Sequence, residues 1–310
     1  MTLGNDTPLV GGGGAAGDVP VGVTGARRLI DREVPPVFRV AVLVSGSGTN
    51  LQAIIDQLHR RPPAEAGVAP GGVATAAPAG VATAASVSAS SVAPSVASSA
   101  SVPGGVAVPV EASASPVIEV ALVISDVPGA RALERARAAG IPTVVLPSDR
   151  YATREEHDMA MAEAIRDARA DLIVLAGYMR LVDPAFVRAF PCRIVNLHPA
   201  LLPAFPGTTS ISDAVHYGVK VTGVTVHFVD EGLDTGLIIA QEAVAVSDSD
   251  TTESLAARIH AVEHRLLPAT IQLIASGRVR PPLPGSRVVR VDWDDGDDTD
   301  DGTTPTEGTG

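Results

Sequence analysis

Asn196 and His198 stand two residues apart at the end of a short apolar run, Ile194 to Leu197, inside the stretch RIVNLHPALLPAFPG (193–207). The run has the character of a buried parallel strand. Alternate strand positions face the same side, so the carboxamide and the imidazole can share one cleft. Pro199, Pro203 and Pro206 stiffen the segment behind them, which can continue neither as sheet nor as helix. Ligands of open α/β sheets bind just outside the carboxyl ends of the strands. An amide donor and a titratable imidazole in that position point to acyl-group chemistry.

A carboxylate is available from DEGLDTG (230–236), which supplies Asp230, Glu231 and Asp234. Placed beside His198, Asp234 would favour the protonated imidazole and hold one tautomer, giving an acid able to serve a leaving amine. Asp and Gly are also ordinary turn residues, and that reading of Asp234 stays open here. Further upstream, VLVSGSGTNLQAII (42–55) joins a strand to a helix through Gly46, Ser47, Gly48, Thr49 and Asn50. Glycines let the backbone approach an anion, and the open N–H groups of a helix start favour a phosphate. Leu51 stands where a dinucleotide fingerprint needs its third glycine, and the Walker lysine is missing. A phosphate monoester on a small substrate therefore suits the loop better than NAD or ATP, although a tight turn and nothing more is the competing reading of the glycines. GYMRLV (177–182) could line a flat apolar pocket or simply form core and rim. His59, His157, His216, His227 and His260 are read as structural or solvated. No HExxH or comparable cluster calls for a metal.

These groups need a scaffold. FRVAVLV (38–44), VIEVALVIS (117–125), TVVLP (143–147), DLIVLAG (171–177) and the strand carrying Asn196 alternate with helical patterns near 50–59, 129–139 and 154–168, and with a short helix opened by Asp183-Pro184. Such alternation predicts an α/β fold, a doubly wound and mostly parallel sheet with helices on both faces. VTGVTVHFV (221–229) and LIIAQEAVAV (237–246) then predict a C-terminal antiparallel hairpin. A long helix follows from Thr252 to about Ala275, where Pro268 is expected to introduce a kink or start a second segment.

Composition narrows the setting. Residues 62–116 are almost entirely Ala, Val, Ser, Gly and Pro, with only Glu65 and Glu111 charged. Such a segment buries too little apolar surface to offset the entropy of ordering, and it reads as a low-complexity flexible insertion. Residues 1–36 read as a disordered extension, 37–284 as the catalytic domain and 285–310 as a disordered acidic tail. The net charge of −12 is concentrated there, since residues 291–310 hold seven Asp, Glu307 and no base. The absence of a basic patch with interleaved aromatics argues against nucleic-acid binding. The mean hydropathy of +0.25 reflects the Ala/Val tracts, and no run of 18 apolar residues implies a membrane span. A single cysteine, Cys192, and no recognisable signal peptide fit the cytoplasm. The oligomeric state is not legible.

Taken together, SGSGTNLQAI, LAGYMRLV, NLHPALLPAFPG, GVTVHFVDEGLDTG and the helix bearing Glu263-His264 resemble the phosphoribosylglycinamide formyltransferase family of folate-dependent purine synthesis. The resemblance covers nearly all of 38–283 apart from the insertion. It implies 5-phosphoribosylglycinamide bound near the first turn and 10-formyltetrahydrofolate as co-substrate alongside, with no metal, nicotinamide or flavin. It further implies that Gly48, Thr49 and Asn50 hold the ribose phosphate and that Glu263 contacts the glycinamide substrate. Arg154 and the backbone of Met179, Arg180, Leu181 and Val182, with Asn196, would surround the folate. Asn196, His198 and Asp234 would form the catalytic group.

One departure is visible, because Thr208-Thr209-Ser210-Ile211 follows FPG where the family often carries a histidine. Three other readings compete. A formyltetrahydrofolate deformylase would use similar residues with water as acceptor, but normally has a regulatory domain ahead of the catalytic one. A methionyl-tRNA formyltransferase needs a further C-terminal domain and a basic surface. A catalytically silent phosphoribosyl- or folate-binding module would need none of the three polar residues intact.

Overall fold

In the computed structural model, residues 35–60, 116–280, 282 and 286–292 are described. The chain divides into two units, Met1–Pro62 with Ser115–Gly310, and Pro63–Ala114. The second unit lies wholly outside the described residues. So do the readings of 62–115, of nearly all of 1–36, and of 293–310.

Seven strands form one sheet: β1 (Val37–Val44), β2 (Val117–Ser125), β3 (Thr143–Val145), β4 (Leu172–Leu175), β5 (Ile194–His198), β6 (Val221–Phe228) and β7 (Ile238–Ala245). Their spatial order is β3-β2-β1-β4-β5-β6-β7. The first five run parallel, whereas β6 pairs antiparallel with β5 and β7 with β6. The order reverses between β1 and β4, so the crevice at their carboxyl ends is the natural ligand position of this architecture.

The parallel strands are apolar throughout because helices cover both faces. On one face Val40, Val42 and Val44 of β1, Leu172 and Val174 of β4, and Val195 and Leu197 of β5 join a core. Helices α1 (Thr49–Leu58), α2 (Arg131–Ala138), α5 (Ser210–Tyr217) and α6 (Thr252–Ala275) supply its other side. On the opposite face Ala41, Leu43, Ile173, Leu175 and Ile194 meet Met161 and Ile165 of α3 (Arg154–Asp167) and Phe186 of α4 (Pro184–Ala189). Each fully buried Leu or Ile is worth about 1.5–3 kcal/mol relative to exposure. Asn196 and His198 fall on the Ile194 side of β5, the alternation expected of a strand.

Helix starts carry the signals their residues suggest. The Thr153 hydroxyl accepts from the Glu156 N–H ahead of α3, and the Asp183 carboxylate accepts from the Ala185 N–H, with Pro184 in the first turn of α4. Gly140, just past α2, adopts φ +70°, the left-handed closing position that glycine fills without strain.

Two expectations are corrected. Of the two alternatives for Pro268, a second segment is excluded, for α6 is continuous from Thr252 to Ala275. A proline lacks the N–H that would bond the carbonyl four residues earlier, here that of His264. The side-chain amide of Gln57 on α1 donates to that oxygen at 2.8 Å, so the gap is satisfied from outside the helix. The tail reading also fails where it is described. Arg290–Val291 forms a strand, β9, paired antiparallel with β8 (Val279–Arg280). Val289 and Val291 pack against the core, and the Arg280 guanidinium donates to Asp292 at 3.0 Å.

Candidate active site

Three of the residues singled out from sequence converge at the carboxyl end of β5. The Asp234 carboxylate lies 3.5 Å from His198 Nδ1 through Oδ2 and 3.5 Å from Asn196 Nδ2 through Oδ1. Asp234 Oδ2 also accepts the backbone N–H of Gly207 at 2.8 Å. His198 is 3% exposed, and its Nε2–H donates to the Phe205 carbonyl at 2.8 Å. Both of its ring nitrogens therefore face acceptors. Asp234 holds φ +53°, a left-handed conformation that Asp tolerates better than most side chains.

The supports of this geometry are local. Thr225 of β6 donates its hydroxyl to the Ala200 carbonyl and accepts the Leu202 N–H. Gln241 of β7 donates to the same hydroxyl and to the Leu202 carbonyl. Together they pin the proline loop so that Phe205 O and Gly207 N–H meet His198 and Asp234. On the other side, Asp230 accepts the Gly232 N–H and the Thr235 hydroxyl, closing the turn that carries Asp234. Gly236 is obligatory there, because a Cβ would lie 1.6 Å from the Phe228 carbonyl oxygen.

A fourth residue, read from sequence as structural or solvated, packs against this cluster. His227 is opposite Asn196 in the antiparallel β5–β6 register. Its Nδ1–H donates to the Phe228 carbonyl at 2.9 Å. Nε2 is then an acceptor, and it receives the Asn196 amide N–H at 3.2 Å. Burial pushes the His227 pKa down from its ordinary value, against smaller opposing contributions from the Phe228 carbonyl and Asp234. The neutral tautomer and the hydrogen bonding agree. Nothing local in the sequence marks this residue, because strand pairing across a connection is not encoded in neighbouring positions.

Two cavities flank β5. The first, of about 300 Å³, is lined by Asn196, His198, His227 and Asp234, by the 177–182 segment and by Arg154. Met179 and Leu181 stand at its rim, 67% and 59% exposed. Arg154 lies 3.8 Å from Asp183, and Arg180 Nε is buried without a hydrogen-bond partner among the described residues. The second cavity, of about 500 Å³, is lined by residues 45–50, by 208–212 and by Thr252, His260 and Glu263. Gly177, Met179, Leu197, Pro199 and Thr208 line both.

The second cavity opens on the start of α1. Gly48 has φ +69°, and a Cβ there would come within 2.5 Å of Ala132 Cβ, so the close turn needs glycine. No side chain caps the helix and no acid occupies its first turn, which leaves its N–H groups free for an anion. Arg135 braces the turn from behind through the Ser47 carbonyl at 2.9 Å. Glu263 is 4% exposed and accepts from Asn50 at 3.0 Å and from His260 at 2.9 Å. That bond to Glu263 is the main reason the His260 pKa is raised above its ordinary value. Asn50 Oδ1 is buried with no partner among the described residues. His260 is exposed and paired with Glu263, in keeping with the structural or solvated reading. Its signal was present, since His260 and Glu263 are spaced i, i+3 on one helix face. His59, which accepts the Val120 N–H, and the buried His157–Asp158 pair are structural as expected. Among the described residues no cluster of three His, Cys, Asp or Glu side chains is arranged to hold a metal, and no helix is long and apolar enough to cross a membrane.

Comparison with known proteins bears on the same segments. The formyl transferase family profile matches residues 106–271. The phosphoribosylglycinamide formyltransferase of Bacillus subtilis is 44% identical over 152 residues, which cover 49% of this chain and 78% of that protein. The trifunctional purine biosynthetic protein adenosine-3 of Chironomus tentans is 36% identical over 245 residues, 79% of this chain. The match spans 14% of that relative's own length. The crystal structure of glycinamide ribonucleotide transformylase 1 from Symbiobacterium toebii superposes with a TM-score of 0.61 at 38% identity, covering 83% of this chain and 94% of the other.

Proposed function

Because the chain belongs to the formyl transferase family, in its phosphoribosylglycinamide formyltransferase group, we propose that it transfers a formyl group from 10-formyltetrahydrofolate to the amine of 5-phosphoribosylglycinamide, a step of purine synthesis, in the cytoplasm. The activity is assigned to the segment 37–284. The observation that carries this reading is the pair of cavities that share a wall at one strand end, with Asn196, His198 and Asp234 together in the first of them.

The open start of α1 suits the ribose phosphate, which Gly48, Thr49 and Asn50 would receive. Glu263 and the unpartnered Asn50 Oδ1 are acceptors for the donors of the same substrate. The formyl donor would occupy the first cavity, bordered by Met179, Arg180, Leu181 and Val182, with Arg154 at its edge. The glycinamide nitrogen attacks the formyl carbon, and the carbonyl electron pair moves onto oxygen. His227 takes one Asn196 N–H; the second, held only loosely by Asp234 at 3.5 Å, is the one free to turn toward that oxygen beside His198. Collapse re-forms the carbonyl and breaks the bond to the folate nitrogen. The amine proton passes to that nitrogen through a water organised by His198 and Asp234. Such donors aimed at a developing oxyanion act without reorganisation cost.

A hydrolase would need no second cavity fitted to a phosphate-bearing acceptor, which favours transfer over deformylation. The test supplies purified protein with 10-formyltetrahydrofolate, with and without phosphoribosylglycinamide, while tetrahydrofolate release is followed. Release that depends on the glycinamide supports the proposal. Release without it identifies a hydrolase, and none under either condition identifies a binding module.

A further inference from the structure

Ser45, the first residue beyond β1, makes three hydrogen bonds, two of them to the wall common to both cavities. Its N–H donates to the Gly177 carbonyl at 3.1 Å. Its hydroxyl donates to Asp126 Oδ1 at 2.8 Å and accepts the Met179 N–H at 3.0 Å. A hydroxyl has one proton. With that proton committed to Asp126, the oxygen must present a lone pair to Met179. Asp126, at the end of β2, therefore fixes the direction in which Ser45 can bond.

Within the segment held in this way the Tyr178 side chain is buried in the core, and Ser45 holds the backbone on either side of it. Gly177 lies past the end of β4 in a left-handed conformation, φ +74°, and the Met179 side chain is largely exposed. Gly177 and Met179 border the first cavity on one side and the second on the other. Met179 N–H is bonded to Ser45, and the Gly177 carbonyl is bonded to Ser45 from the opposite direction. The shared wall is thus fixed before either cavity is filled.

Resting on the two-substrate reading above, we infer that Ser45, oriented by Asp126, is a positioning residue that keeps the two substrate sites energetically independent by pre-ordering their common wall. A pre-ordered wall imposes no ordering cost on whichever ligand arrives first. Without the pin, the first ligand must order the wall and the second meets it already ordered. Each ligand then tightens the other, and linkage makes the two factors equal.

The experiment uses phosphoribosylglycinamide and tetrahydrofolate, a pair that cannot react, titrated calorimetrically into the full chain, each alone and each in the presence of the other. Wild type is expected to show affinities that do not depend on the second ligand. Ser45→Ala is expected to bind each ligand alone about three- to tenfold more weakly, the scale of one lost neutral hydrogen bond, and to regain affinity when the other is present. Ser45→Thr, which keeps the hydroxyl, is expected to behave as wild type. Weakening without mutual recovery, or no weakening, overturns the inference. Amide hydrogen exchange of the unliganded protein provides an independent arm, since Met179 should exchange faster in Ser45→Ala at unchanged melting temperature. Unchanged Met179 exchange overturns the pin itself. If wild type binds neither ligand while Met179 exchange still responds, the substrate assignment falls and the pin stands.

Discussion

Asn196 and His227 face each other across the β5–β6 ladder, and the carboxamide Nδ2 approaches the imidazole Nε2 to 3.2 Å. The bond sets the direction of an amide that has two N–H groups, the other of which lies 3.5 Å from Asp234. It makes the histidine the partner that decides how the asparagine is presented.

Removal of the amide itself has the larger effect. Asn196→Ala is expected to lower turnover on the order of 10²–10³-fold, the usual consequence of deleting one oxyanion donor. Circular dichroism and melting temperature should remain close to wild type. Near-normal turnover in steady-state assays would take Asn196 out of the mechanism.

On the proposed mechanism His227 would act through Asn196, so its effect is expected to be smaller and non-additive. His227→Leu is expected to reduce kcat roughly tenfold, about 1.4 kcal/mol, within the range of a buried hydrogen-bond acceptor lost to its donor. In the Asn196→Ala background the same change should have little further effect, since residues in contact couple. Additive losses in that double-mutant cycle would show that His227 acts elsewhere.

The two shifted histidines pull stability in opposite directions with pH. His227 has its folded pKa lowered by burial. Its contribution is present above the unfolded value of about 6.5 and is lost as pH falls through the lowered folded value. His260 has its folded pKa raised by its bond to Glu263. Its contribution is fully present below about 6.5 and is lost as pH rises through the folded value. Urea unfolding between pH 5 and 8 checks the signs. His260→Gln should lose the stabilisation on the acid side only, and a uniform loss at all pH values would contradict the assignment.

Gly48→Ala places a Cβ 2.5 Å from Ala132 Cβ at a φ of +69°. A non-glycine residue in that region costs of order 1–3 kcal/mol when strained. We expect a lower melting temperature together with a raised KM for the phosphorylated substrate and a smaller change in KM for the formyl donor. Equal changes in both KM values would indicate a global rather than a local defect.

The fold was legible because its strands are short apolar runs separated by helical patterns, and β5 announced its polar pair through simple alternation. Asp234 could be suspected from its turn but not located, because its contact with His198 crosses 36 residues of chain. His227 was illegible for a stronger reason. The antiparallel register that brings it to Asn196 is fixed by packing on both faces of the sheet, and neighbouring residues such as Val226 and Phe228 only advertise a core strand. His260 was readable in principle from its spacing to Glu263. Pro268 misled because the partner that compensates for it lies on another helix. Arg290–Val291 escaped notice because two residues carry too little pattern to stand out beside an acidic run.

The carbonyl of His264, left without its own helical donor by Pro268 and served by Gln57, ties two distant positions into one unit of inheritance. The bond lies at the surface, so replacing Gln57 hands that oxygen to water, while replacing the proline frees the glutamine for any other use.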